Sequence, residues 1–347
     1  MDSAIPLPTP PDAAADLAGS DTLSDLLHAV RLTGAAFFDF EAGAPWAEMQ
    51  PAGATIANAV LPGVQHLIAY HAVIAGCCFG GLVGGEQIRL EAGDVIVFPH
   101  GDAHVMSSAP GVPARLDRGR YRRPVRVDGN GGERSRLVCG FLGCDVRPFN
   151  PLIRALPPVL HVSDRRGPNG GWLGGLVQVA LAESRSRRSG GETVLARVSE
   201  LLFVEAVRRH VESLPADRTG WLSGLRDPQI GRALAALHAR PDYGWTLQAL
   251  AREVALSRSA LAERFTQLIG QPPMQYLANW RMQIGAGSLA RGDKVESVAL
   301  QVGYESAAAF SRAFKKLVGR SPSAWRAGQW PARPGPRGVA SGHGLTK

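Results

Sequence analysis

Three histidines stand in short strand-like text: His71 in "IAYHAVIAGCCFGG", and His100 and His104 in "GDVIVFPHGDAHVMSS", residues 93–108. Neutral imidazole is the commonest protein metal ligand, and it is equally a donor or acceptor within a pocket. Val95 and Val97 alternate with Ile96 and Phe98, the period of a strand, and Pro99 to Gly101 makes a turn that aims His104 inward. A catalytic metal site requires three or more ligands. Two residues after His71 stands Val73, and Glu86 comes only after a turn. The expectation is a pocket bordered by His71, His100 and His104, with no metal, no cofactor and no catalytic residue.

Sulfur offers a second chemistry. The four cysteines, Cys77, Cys78, Cys139 and Cys144, form neither a disulfide framework nor a zinc-type CxxC pair. A reactive thiolate needs exposure and a neighbouring positive charge, whereas the usual cysteine is a small buried hydrophobe. Cys139, in a strand-like run, is the residue a redox-responsive alternative would use.

These residues must be positioned by a β-rich first half. Residues 23–36 read as a short helix followed by a strand, and from there to about Gly143 short apolar runs alternate with Gly, Pro and Asp turns, as in an antiparallel barrel or sandwich. Residues 109–135 are rich in Gly and Arg without apolar periodicity, and read as a mobile surface loop. The period then becomes helical. Leu195, Val198 and Leu202, with Val204, Val207 and Val211, recur at three- and four-residue spacing, giving a broad apolar face for the barrel or a second copy of the chain.

At 347 residues and 45% hydrophobic content the chain suits two domains. Its first twenty residues lack the features of a secretory signal, and no long apolar run could span a bilayer, so a cytoplasmic protein with no membrane association is expected. Charge is unevenly divided. Residues 226–347 hold 17 Lys and Arg against 7 Asp and Glu, a net +10, which leaves −2 of the total +8 for the remainder. Such a domain suits a polyanion, because neutralising phosphates releases condensed counterions.

That basic third contains one unit twice. Residues 247–277 match residues 295–325: Leu250, Ala251 and Val254 correspond to Val298, Ala299 and Val302, and Ala255 to Gly303. Beyond the turn, Ser257, Leu261, Phe265, Gly270 and Pro273 correspond to Ser306, Phe310, Phe314, Gly319 and Pro322. Each unit reads as a helix-turn-helix, with a small residue at the corner, a serine capping the second helix, and two apolar residues four apart facing the core. Outward lie Arg258, Ser259, Ala262, Glu263 and Thr266 in the first unit, and Ala307, Ala308, Ser311, Arg312 and Lys315 in the second. Such a helix reads base edges in the major groove of double-stranded DNA while its cations hold phosphates. Residues 274–290 read as the helix that joins the units, and its Gly285 and Gly287 suggest flexibility.

On these residues the chain resembles the AraC/XylS transcription regulators, whose DNA-binding domain is matched by residues 226–326 and most specifically by Gly303, Phe310, Phe314, Gly319 and Pro322. The resemblance implies promoter binding, with base contacts at Ser259, Ala262, Glu263, Ala307, Ala308, Ser311 and Arg312. Gly93, Pro99, Gly101 and His104 likewise fill the second motif of the cupin barrels. In cupin enzymes that histidine joins two more histidines and a glutamate on a metal, and a metal-dependent cupin enzyme is the other alternative. Residues 21 to about 212 resemble the cupin-type sensing domain of one AraC subgroup.

The expected fold class is α+β: a cupin-like β-barrel with following helices, and an all-α domain of two helix-turn-helix units joined by a helix. The expected organisation is a disordered tail (1–20), a sensing and dimerisation domain (21–214), a linker (215–225), the DNA-binding domain (226–328) and a second disordered tail (329–347). The expected function is effector-responsive transcriptional activation without enzymatic activity. Its partners would be promoter DNA, an unidentified small molecule, RNA polymerase and a second copy of the chain.

Overall fold

The computed structural model describes residues 22–30, 32–116, 125–127, 132–144, 148–163, 172–186, 188–215 and 220–327. Both expected tails and much of the arginine-rich stretch lie outside the described residues. Within that stretch, Arg115–Leu116 (β8) and Val125–Val127 (β9) are short strands. The purely loop-like reading is corrected there, because each strand pairs in parallel with a neighbour, β8 with β2 and β9 with β1.

The architecture is the expected α+β one. The first described helix, Thr22–Val30 (α1), leads into strand Thr33–Gly43 (β1), then Ala47–Gln50 (β2) and helix Gly53–Val60 (α2). Strands His66–Ala75 (β3), Cys77–Leu82 (β4), Ile88–Glu91 (β5), Asp94–Phe98 (β6), His104–Ser107 (β7) and, beyond β8 and β9, Arg134–Cys144 (β10) follow. After helix Pro151–Ala155 (α3), strand Leu160–Ser163 (β11) completes two facing sheets, ordered β11-β6-β3-β10-β1-β9 and β5-β4-β7-β2-β8. Period-two alternation sends one side of each strand between the sheets and the other toward helices. On β1, Phe38 and Phe40 join the inter-sheet core while Phe37 joins the core beneath the helices.

Helices Trp172–Ser186 (α4) and Gly191–Ser213 (α5) pack on each other and on β1. Val198, Leu202 and Val207 are buried there, while Trp172, Val179, Val194 and Leu201 on the other side are exposed. The Tyr70 hydroxyl and the Ser199 hydroxyl, 2.6 Å apart, join sheet to helix.

The segment read as a linker contains helix Trp221–Arg226 (α6), packed against α3. Helices Pro228–Ala239 (α7), Leu247–Glu253 (α8), Arg258–Ile269 (α9), Pro273–Ala290 (α10), Val295–Gln301 (α11), Ala307–Val318 (α12) and Pro322–Arg326 (α13) complete the described residues. Asp227 caps α7: its carboxylate accepts the N–H groups of Gln229 and Ile230 and pairs with Arg264 at 2.6 Å. Among the described residues no helix is long and apolar enough to cross a membrane.

Candidate DNA interface and barrel pocket

The two repeats fold as helix-turn-helix units, α8–α9 and α11–α12. Ser257 and Ser306 accept the N–H groups of Ala260 and Ala309 at 3.1 and 3.2 Å, satisfying orphan donors at the starts of α9 and α12. Gly270 and Gly319 close these helices in the left-handed conformation, with φ of 81° and 83°. At the corners Gly303 has φ 76°, and Ala255 is held at φ 56° despite its methyl group. A β-carbon at Gly303 would lie 2.5 Å from the Asp242 carbonyl oxygen, so close approach as well as φ demands glycine there.

Leu261, Phe265, Phe310 and Phe314 are fully buried. On the opposite faces Arg258, Ser259, Glu263, Thr266, Ala308, Arg312 and Lys315 are exposed, and Ala262, Ala307 and Ser311 are half-buried. Two hydroxyls are already engaged: Ser259 with the capping Ser257 at 3.1 Å, and Thr266, which donates to the Ala262 carbonyl at 2.7 Å. Helix α10 joins the units as expected, but Gly285 serves packing. A β-carbon there would lie 3.0 Å from the Phe310 ring, so the flexible reading fails at this position.

The cores of the two units differ in extent. The second has its own, formed by Met282, Leu289, Val298, Phe310, Phe314 and Trp325. The first shares a continuous core with the barrel half: Leu26 of α1, Phe149, Leu152, Leu234, Tyr276 and Trp280 belong to one cluster. Within it Gln283, 1% exposed, accepts the Phe149 backbone N–H at 2.9 Å. His238 stacks on Trp280 at 3.9 Å and its Nε2 meets the Tyr276 hydroxyl at 2.8 Å. Burial brings the His238 pKa down to about 3, against a smaller upward pull from the Thr22 backbone, so the imidazole is neutral at pH 7.

Between the sheets lies a cavity with ≈ 480 Å³ of non-atom space, counting its open mouth. Strand alternation builds it. Phe38 and Phe40 come from β1, Glu48 and Gln50 from β2 with Trp46 just ahead, His104 and Met106 from β7, and Leu137 and Cys139 from β10. Phe38, Cys139 and His71 occupy one row across the larger sheet, while Gln50 faces His104 in the other.

His71 bridges the two sheets. Its Nδ1 lies 2.9 Å from the Cys139 sulfur and its Nε2 2.9 Å from the His104 Nε2. One carbonyl orients the whole chain of hydrogen bonds. The His104 Nδ1–H donates to the Asp102 carbonyl at 3.0 Å, so in a neutral ring its Nε2 accepts. His71 must then donate from Nε2 and accept at Nδ1, which makes the Cys139 thiol the donor. Burial holds His71 well below its ordinary pKa, with the neighbouring His104 adding to the effect, and brings His104 to about 4 against the raising influence of Asp102. Both rings are neutral at pH 7.

Among the described residues no three His, Cys, Asp or Glu are grouped to hold a metal ion. His71 turns different nitrogens toward Cys139 and His104, and Val73 stands where a further imidazole would be needed, so the donor set does not fit the cupin metal. His100 does not line the cavity; its Nε2 donates to the Leu156 carbonyl at 2.9 Å. His66 likewise donates to the Pro99 carbonyl at 2.6 Å. Attention to imidazole missed the other walls. Their signal was the alternation of Phe38 with Phe40, and of Trp46, Glu48 and Gln50 in "PWAEMQ".

A cupin-like barrel joined to two helix-turn-helix units defines a DNA-binding transcription regulator, and comparison with known proteins agrees. The cupin family matches residues 21–212 and the family described as a helix-turn-helix domain matches residues 250–328. An AraC-like transcription regulator of Streptomyces antibioticus is 30% identical, the match covering 88% of this chain and 98% of that one. The transcriptional regulator AlkR of Acinetobacter baylyi is 29% identical over 76% of this chain and 88% of its own. The DNA-binding domain of AdpA, solved in complex with a target DNA, is 29% identical over 29% of this chain and 92% of that one, with a TM-score of 0.28. The chain belongs to the cupin-containing AraC-type family of DNA-binding transcriptional regulators.

Proposed function

We propose that the protein is a cytoplasmic, effector-responsive activator whose barrel senses a small molecule without transforming it. The carrying observation is the continuous core, with its Gln283–Phe149 hydrogen bond, that runs from the sensing half into the first helix-turn-helix unit. A ligand that fits one packing of barrel and helices better than another shifts the population of DNA-binding arrangements by that difference in affinity. In this reading Arg258, Ser259, Ala262, Glu263 and Thr266, with Ala307, Ala308, Ser311, Arg312 and Lys315, face successive major grooves, and the DNA-bound protein recruits RNA polymerase. The exposed Trp172, Val179, Val194 and Leu201 on α4 and α5 support dimerisation of the sensing half.

The test is fluorescence anisotropy on duplex DNA from upstream of the protein's own gene. Expected is salt-sensitive binding that prefers this duplex over shuffled DNA. Binding indifferent to sequence and salt would refute the reading. Sedimentation of wild type and Leu201→Glu tests the dimer, which the variant should weaken.

A further inference from the structure

Two buried groups in the cavity wall lack partners. The indole Nε1–H of Trp46 and the side-chain Nε2 of Gln50 have no hydrogen-bond partner among the described residues, and the residues are 4% and 6% exposed. Both border the same cavity. An unpaired buried donor destabilises the folded protein, a cost removed when a bound molecule supplies an acceptor. The indole can only donate, so the missing partner at Trp46 is an acceptor.

The remaining walls set the polarity of the occupant. Phe38, Phe40, Met106 and Leu137 are apolar, and Phe40 and Trp46 stand with ring centroids 4.9 Å apart. Among the described residues no Lys or Arg lines the cavity, and Glu48 is the one acidic residue. Against these described walls a carboxylate would lose its water without gaining a cation, and would face Glu48. A bound ammonium group offers no acceptor to either unpaired donor.

We propose that the barrel takes a neutral, largely apolar molecule bearing a hydrogen-bond acceptor such as a carbonyl oxygen, received by the Trp46 indole N–H and the Gln50 carboxamide. The proposal rests on the effector-responsive reading and names the chemical class of that effector.

The test uses the full chain and titration calorimetry. Aryl alkyl ketones from acetophenone to butyrophenone are compared with the matching alkylbenzenes, arylcarboxylates and aryltrimethylammonium ions. At least one ketone should bind roughly tenfold or more tighter than its hydrocarbon, with neither ion competing, as expected for an otherwise unpaired buried donor. Trp46→Phe and Gln50→Leu should each weaken the ketone toward the level of the hydrocarbon and leave hydrocarbon affinity unchanged. Equal affinity for ketone and hydrocarbon, tightest binding by either ion, or no ketone binding overturns the proposal, and the wild-type comparison decides even where a variant fails to fold. Anisotropy on promoter DNA, measured on the same preparation, separates this failure from failure of the regulator reading.

Discussion

The side-chain oxygen of Gln283, on the helix joining the two DNA-binding units, accepts the backbone N–H of Phe149 from the barrel half at 2.9 Å. Both groups are buried, so deleting the acceptor strands a donor in an apolar core. Gln283→Leu should cost about 1–3 kcal/mol, read as a lower urea midpoint. An unchanged midpoint would show that the bond does not stabilise the contact between the halves.

Neighbouring glycines on α10 separate packing from flexibility. Alanine improves helix propensity at either by about 1 kcal/mol. At Gly285, however, the new methyl would press on the Phe310 ring at 3.0 Å, whereas at Gly287 the nearest other atom is the Arg291 Nη1 at 3.7 Å. Gly285→Ala should therefore lower the melting temperature and Gly287→Ala raise it. Two increases would show that the second unit yields easily around Phe310.

Acid should destabilise the fold through its buried neutral histidines. His104 and His238 titrate at about 4 and about 3 in the folded protein, and His71 well below its ordinary value. Once pH falls below about 6.5 the unfolded chain takes up protons that the folded chain refuses, so stability declines toward pH 4. By pH 5 the loss is about 2 kcal/mol for each of His104 and His238. Urea midpoints from pH 7.5 to 4.5 should fall accordingly, with a shallower slope in His104→Gln.

The recognition helices can be weakened in two distinguishable ways. Ser306→Ala removes the hydroxyl that accepts the Ala309 N–H, and should cost about 1 kcal/mol in folding stability. Lys315→Ala should leave stability nearly unchanged, weaken all duplexes alike and flatten the dependence of log affinity on log salt by about one unit. A change in sequence preference for Lys315→Ala would assign it to base contact.

Much of this architecture is local and was legible in the residues. Ser257 and Ser306 cap helices because hydroxyls satisfy the N–H groups two or three residues on, and Gly303 marks a corner because its φ is positive. The repeat made both units visible, and period-two alternation gave the strands. The pocket was only partly legible. His71 and His104 were found, but His100, with the same chemistry in the same turn, points to Leu156 instead.

A basic, twice-repeated DNA-binding third behind a β-rich half is written in the residues themselves, because caps, turns and apolar periods act over a few residues. Only the tertiary structure decided which polar groups meet. The row that places Cys139 beside His71, the gap between sheets that His71 closes onto His104, and the contact of Gln283 with Phe149 join residues 33 to 134 positions apart. No local rule sets such pairings. They follow from strand register and from helices sharing one core, and these same constraints leave the donors of Trp46 and Gln50 facing an unfilled need.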